Sequence, residues 1–159
     1  MQIDSIDRHI VTCLVEDGRI SFQSLSERVA LSSSAVKRRF DRLVKSGVVT
    51  AFTALVNPRL LGYRTEGFVH VRFRRSVSPA ASRAAFSLIP EIVEAHTVSG
   101  AWDVLVRIRS TSVGDFERVL EQLRASPLVH NTESTMVLTT LLNRPGPVAI
   151  ESEDRRSVV

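Results

Sequence analysis

The sequence predicts an α+β chain in two parts, a small helical head followed by a βαββαβ body, and three observations carry that prediction. Residues 21–49 read as two short helices joined by a tight turn, the second of them cationic on its outer face. Past residue 64 the apolar period changes from helical spacing to strict alternation. The 159 residues suffice for one compact domain or two small ones.

The head is built in order from its start and stop signals. Asp4 caps a first helix that runs to about Glu16, with Ile3, Ile6, Ile10 and Leu14 on its apolar side, and Gly18 breaks it. Ser21 opens a second helix anchored by Leu25 and Val29. Ser32 caps a third by accepting a hydrogen bond from a free N–H of its first turn. Ala35, Val36, Phe40, Leu43 and Val44 recur on one face of that helix, and Gly47 stops it. The expected core is Ile6, Ile10, Leu14, Leu25, Val29, Val36, Phe40 and Leu43. Val48–Leu55 is rich in strand formers, and a strand directly after the third helix makes residues 1–50 a winged helix-turn-helix. Residues 51–63 are then a wing or hinge strand and linker, ended by Asn57-Pro58 and followed by Leu60, Leu61 and Gly62.

The body spans residues 64–144. Val69, Val71 and Phe73 alternate with Phe68, His70, Arg72 and Arg74, as in a strand covered on one side. Ser78-Pro79 opens a helix to about Ile89, with proline at its first position. Ile92–Val98 reads as a second strand, and Val104, Val106 and Ile108 mark a third. Ser112 starts a helix with Phe116, Val119, Leu120 and Leu123 on one face, and Val129–Leu142 gives the last strand. The order βαββαβ resembles a ferredoxin-like sandwich, with helices on one face of an antiparallel sheet. The open face is expected to show Phe68, Ile92, Val98 and Leu105, which suggests sheet-to-sheet dimerisation. Residues 145–159 lack a sustained period and read as a flexible tail.

Charge points to a partner. The formal net charge is only +4, but Lys37, Arg38, Arg39, Arg42 and Lys45 fall in the third helix against the single acid Asp41. A helix with an apolar back, a cationic front and small hydroxyl residues at its leading end suits the major groove of double-stranded DNA. Ser33, Ser34, Lys37 and Arg38 are placed to meet base edges, and Arg42 and Lys45 to meet phosphates. Arg39 lies nearer the buried side, where a structural ion pair is expected. No apolar run approaches the roughly 20 residues that span a bilayer. The acidic N-terminus lacks a signal peptide's basic start, so a cytoplasmic protein is expected. Cys13 is the sole cysteine and reads as a small buried hydrophobe. His9, His70, His96 and His130 have no metal-ligand spacing. Nucleophile–base pairs, Gly-rich phosphate loops and paired metal-binding cysteines are missing, so neither an enzyme nor a metal or cofactor is expected.

Four stretches carry a family resemblance: residues 3–49, TALVNP at 53–58, VSGAWDVLVRI at 98–108 and VHNTESTMVL at 129–138. Up to about Arg144 the chain resembles the leucine-responsive regulator/AsnC family of transcription regulators. The resemblance implies a DNA-binding regulator whose C-terminal domain binds an amino acid or related small effector, and which forms dimers that assemble into octamers or similar discs. It places the effector loop at Val98, Ser99, Gly100, Ala101, Trp102 and Asp103, with Thr132 and Ser134 adding hydroxyls. Gly100 permits close backbone approach or a positive φ. Asp103 either attracts an ammonium or holds the loop by accepting backbone hydrogen bonds. Trp102 either walls the pocket or packs at an interface, where tryptophan is common. The alternative function is an architectural DNA-binding protein of the same fold with no metabolite effector.

Overall fold

The computed structural model describes residues 2–143. The tail read at 145–159, and Arg144 at the end of the body, lie outside the described residues. The chain divides into two compact units, the first taking in the residues up to Leu55 together with Leu142 and Asn143, and the second spanning Val56–Leu141.

The first unit holds α1 (Ser5–Glu16), α2 (Phe22–Val29) and α3 (Ser33–Lys45). Each begins at the cap its sequence signals. Asp4 accepts the Asp7 N–H at 2.8 Å, Ser21 accepts that of Ser24 at 3.0 Å, and Ser32 accepts that of Ala35 at 3.3 Å. Ile10, Cys13, Leu25, Val29, Val36 and Leu43 form the core, with Ile6 and Leu14 partly buried against it. Phe40 stays half-buried and sits in an aromatic row, 5.2 Å from the Phe22 ring and 5.9 Å from Phe52. Val44, expected on the apolar face, is 42 % exposed. The tight turn between α2 and α3 places Ala30 in the left-handed region, at φ +52°. Gly47, at φ +74°, follows α3, and the Val48 N–H donates to the Leu43 carbonyl at 3.0 Å.

Val48–Leu55 does not form the expected wing strand, and residues 51–57 carry no regular structure. Its composition suits a strand, but a strand exists only where another backbone satisfies its N–H and C=O groups. The one sheet among the described residues has four strands, and none of them comes from this segment. Phe52 instead stacks on Phe40, and Leu55 is 74 % exposed.

The second unit opens with a 3-10 turn at Pro58–Leu61. There follow β1 (Thr65–Phe73), α4 (Pro79–Phe86), β2 (Ile92–Thr97), β3 (Val104–Ser110), α5 (Val113–Ala125) and β4 (Val129–Met136). The strands are antiparallel in the order β2-β3-β1-β4, the ferredoxin-like arrangement. The first helix ends at Phe86 rather than near Ile89, and the last strand at Met136 rather than Leu142. Val69, Val71, Val104, Val106 and Ile108 pack against Phe86, Phe116, Val119, Leu120 and Leu123 of the helices. Gly67 sits where β1 crosses under α5. A Cβ there would lie 2.7 Å from the Phe116 ring and 2.9 Å from the Thr135 carbonyl oxygen. Gly67→Ala is therefore expected to cost about 1–3 kcal/mol, by overpacking against backbone that cannot yield. The melting temperature of the second unit reads that loss.

The open sheet face differs from the apolar one expected. Phe68 and Leu105 do lie on it, both half-buried. Ile92 packs on the helix side instead, because the β2–β3 register shifts between Ile92 and Glu94. Val98 lies beyond the end of β2. The face is laced by ion pairs that join three strands. Arg107 pairs with Glu94 and, at 3.4 Å, with Glu66, which also meets Arg109 at 3.0 Å.

Candidate nucleic-acid interface and effector loop

On α3, burial of Val36 and Leu43 turns Ser33, Ser34, Lys37, Arg38, Arg42 and Lys45 outward, and all six are exposed. Lys37, Arg38 and Lys45 form no ion pair among the described residues, so their charges are available to a polyanion. Ser33 is less free. Its hydroxyl donates to the Ser26 hydroxyl at 3.2 Å and ties α3 to α2. Ser34 shares a 3.1 Å contact with the Ser32 hydroxyl.

The arginines nearer the core are held by α1. Arg39 donates to Asp4 at 2.6 Å and to Asp7 at 2.8 Å, the ion pair expected from its position. Arg42 also reaches Asp7, donating to its two carboxylate oxygens at 2.9 and 2.7 Å. Arg42 is thus a shared group, half exposed and already bound to a carboxylate, rather than a free phosphate ligand. The Asp7 side chain is fully buried. Asp4 has its carboxyl held below the usual range, first by the Asp7 N–H and then by Arg39. Its contribution to stability is present above the unfolded-state pKa and lost as pH falls through the lower folded one. Helical spacing predicts the ion pair at Arg39 but identifies neither acid. The signal available was Asp4 and Asp7 three apart, on one face of α1.

In the second unit, residues 98–103 connect β2 to β3. The loop is pinned at Asp103. Its carbonyl accepts from the Val98 N–H at 3.1 Å, and its N–H donates to the Val71 carbonyl at 3.0 Å. Its carboxylate accepts from the Phe73 N–H at 2.7 Å. Of the two roles open to Asp103, loop-holding is the one its contacts perform. Arg72, absent from the sequence-based site, adds a second pin through Nε to the Ala101 carbonyl at 2.9 Å. Its guanidinium lies 5.1 Å from the Trp102 ring centroid, and the His70 ring lies tilted at 39° to the same ring, 5.8 Å between centroids. Trp102 is therefore packed, half-buried, on the open sheet face. Gly100 has φ +114°, with nothing within 4 Å of where a Cβ would sit. The N–H groups of Ser99, Gly100, Ala101 and Trp102 have no hydrogen-bond acceptor among the described residues.

Thr132 and Ser134 are not gathered with this loop. Their β4 positions pair with Val71 and Val69, which places them on the helix side, and the Thr132 hydroxyl accepts from Arg124 of α5 at 3.1 Å. Trp102 lies on the opposite face. A groove of about 530 Å³ does run beside the loop, lined by Val98, Asp103, Arg72, Phe73, Arg75 and Ser76. Arg75 and Ser76 follow β1 and carry no motif that would mark them in the sequence. No group of three or more metal-ligating side chains occurs among the described residues, and no helix there is long and apolar enough to cross a membrane.

Comparison with known proteins agrees with both halves. Residues 3–44 match the AsnC-type helix-turn-helix domain, and residues 66–147 match the Lrp/AsnC ligand binding domain. An HTH-type transcriptional regulator of Mycobacterium tuberculosis is 38% identical, over 92% of this chain and 99% of that protein. Among solved structures, a transcriptional regulator of Neisseria meningitidis in complex with L-methionine superposes with a TM-score of 0.86 at 28% identity, covering 93% of this chain and 98% of that one. The feast or famine regulatory protein of M. tuberculosis, also complexed with L-methionine, gives a TM-score of 0.85 at 31% identity, covering 92% and 99%. With a helix-turn-helix head, a four-stranded α+β body and relatives of this likeness along nearly its whole length, the chain belongs to the Lrp/AsnC family of transcriptional regulators.

Proposed function

We propose that this regulator is a cytoplasmic homo-oligomer that reads duplex DNA with α3 and changes its assembly or DNA binding when an amino acid occupies the loop at 98–103. The observation that carries the reading is the pairing of two exposed features. α3 presents unpaired cations, and the loop presents consecutive unpaired N–H groups. On DNA, Ser34, Lys37 and Arg38 would meet base edges, with Ser33 bracing the helix, while Lys45 would meet phosphates and Arg42 would stay on Asp7. At the loop, the backbone of Ser99, Gly100 and Ala101 would receive an effector carboxylate, and Val98 and Trp102 would flank it. The second oxygen of Asp103 remains to meet the ammonium. Two relatives of closely similar fold are complexed with L-methionine, which supports an amino acid as the ligand class.

Three features favour more than one copy. Thr132 and Ser134 face away from the loop of their own chain, so a site that uses both sets needs a neighbouring subunit. The strand-forming segment at 51–57 has no partner strand among the described residues, and a second copy of itself would supply one. The open sheet face sets Phe68 and Leu105 among paired charges, a pattern suited to closure by a two-fold copy. A dimer, with further assembly to an octamer, is the reading. A light-scattering mass near 17.6 kDa would contradict it.

The architectural alternative has its own support, since the Asp103 carboxylate and the Thr132 hydroxyl already have partners. Thermal shift against the twenty amino acids separates the two readings. One or more amino acids are expected to raise the melting temperature, and Gly100→Trp to remove the shift. Because φ at Gly100 is one that L residues rarely adopt, that substitution distorts the loop as well as filling it. No shift by calorimetry at millimolar ligand would favour the architectural protein, and an unchanged shift in Gly100→Trp would place the pocket elsewhere.

A further inference from the structure

The side chain of Asp7 is fully buried, yet it is ionisable and lies in α1, away from the outer face of α3. Burying a carboxylate is costly unless it is paired and hydrogen-bonded. Here both oxygens are satisfied, and every side-chain partner is an arginine of α3. Asp4 adds a second carboxylate to Arg39. Two acids therefore neutralise two of the five cations of the helix proposed to enter the groove, and they draw both guanidinium groups toward α1.

From this we infer that Asp7, with Asp4 in support, is a specificity-determining positioning residue for DNA. It withholds Arg39 and Arg42 from phosphates, so that sequence-reading contacts from Lys37 and Arg38 outweigh indiscriminate backbone attraction. The inference rests on the reading of α3 as the groove-facing helix. The physical reason is that phosphate contacts supply affinity without sequence information. Each cation added to the interface tightens all duplexes alike and narrows the ratio between a preferred site and random DNA.

The test is fluorescence anisotropy over a salt series with the full chain. It uses two probes, a genomic duplex selected by the wild-type protein and a random duplex of equal length. In Asp7→Asn, random-duplex binding should tighten several-fold at low salt. The slope of log K against log salt should steepen by about 1 for each cation freed per binding unit, and the preference for the selected duplex should fall. Asp4→Asn guards against misfolding, because asparagine caps a helix as well as aspartate does. It frees Arg39 in part and should shift the same readouts less. Unchanged salt slopes and an unchanged preference in Asp4→Asn, or equal weakening on both duplexes in a folded Asp7→Asn, would overturn the inference by reducing the acids to a structural role. Absence of DNA binding by the wild-type chain would overturn the groove-facing reading itself, and this inference with it.

Discussion

Arg38→Ala is expected to weaken binding to a preferred duplex by about 1–3 kcal/mol, roughly 5- to 150-fold, while random DNA loses far less. Arg38 is exposed in the leading half of α3, and no carboxylate among the described residues holds it. Its planar guanidinium can therefore present two donors to one guanine edge. Lys45, in the last turn of the same helix, is the internal control. Lys45→Ala should weaken all sequences alike and flatten the salt dependence. Competition titrations with both duplexes measure both effects. Equal losses on preferred and random DNA for Arg38→Ala would refute its role as a base reader.

Leu43→Ala should produce the largest change in stability. Leu43 is wholly buried at the centre of the first core. Removing its side chain is expected to cost about 2–5 kcal/mol, as lost transfer energy plus a residual cavity. That is a large part of the 5–15 kcal/mol by which a typical domain is stable. The main-chain carbonyl of Leu43 also accepts the Val48 and Val49 N–H groups at 3.0 and 3.2 Å, so loosening here reaches the segment after α3. Calorimetry should show the transition of the first unit displaced, with that of the second unit kept. Leu88→Ala, at a side chain 82 % exposed, should leave both within about 0.5 kcal/mol.

The helices and most strands were legible because their signals are local. A serine or aspartate at an N-cap, a glycine after the last turn and an apolar period each act within a few residues, and Asp4, Ser21, Ser32, Ser78 and Ser112 all cap as their positions imply. The errors came where a partner decides the outcome. Val48–Leu55 has strand composition without a strand beside it. Ile92 changed face because one register shift moves a side chain to the other side of the sheet. The charge ladder from Glu94 through Arg107 and Glu66 to Arg109 needs three strands to assemble, and alternation within one strand cannot reveal it.

The proposed effector loop rests on family resemblance, and its restraints are not readable in the sequence. Arg72 and Ala101 are 29 residues apart, and Phe73 and Asp103 are 30 apart. Only the pairing of β1 with β3 brings them together. On α3, helical spacing alone separated Arg39 from Arg38 and predicted an ion pair for it. The same spacing put Arg42 on the outer face, yet the length of an arginine side chain lets it reach back to Asp7.

The proposed regulator couples sequence-specific DNA binding to an amino acid. Genome-wide mapping of bound sites, with and without amino-acid supplementation, tests it most directly. The predicted result is a set of discrete sites, roughly palindromic, with half-sites about one helical turn or a multiple apart, whose occupancy changes on supplementation. Broad coverage without a shared symmetric sequence, indifferent to every amino acid supplied, would contradict it.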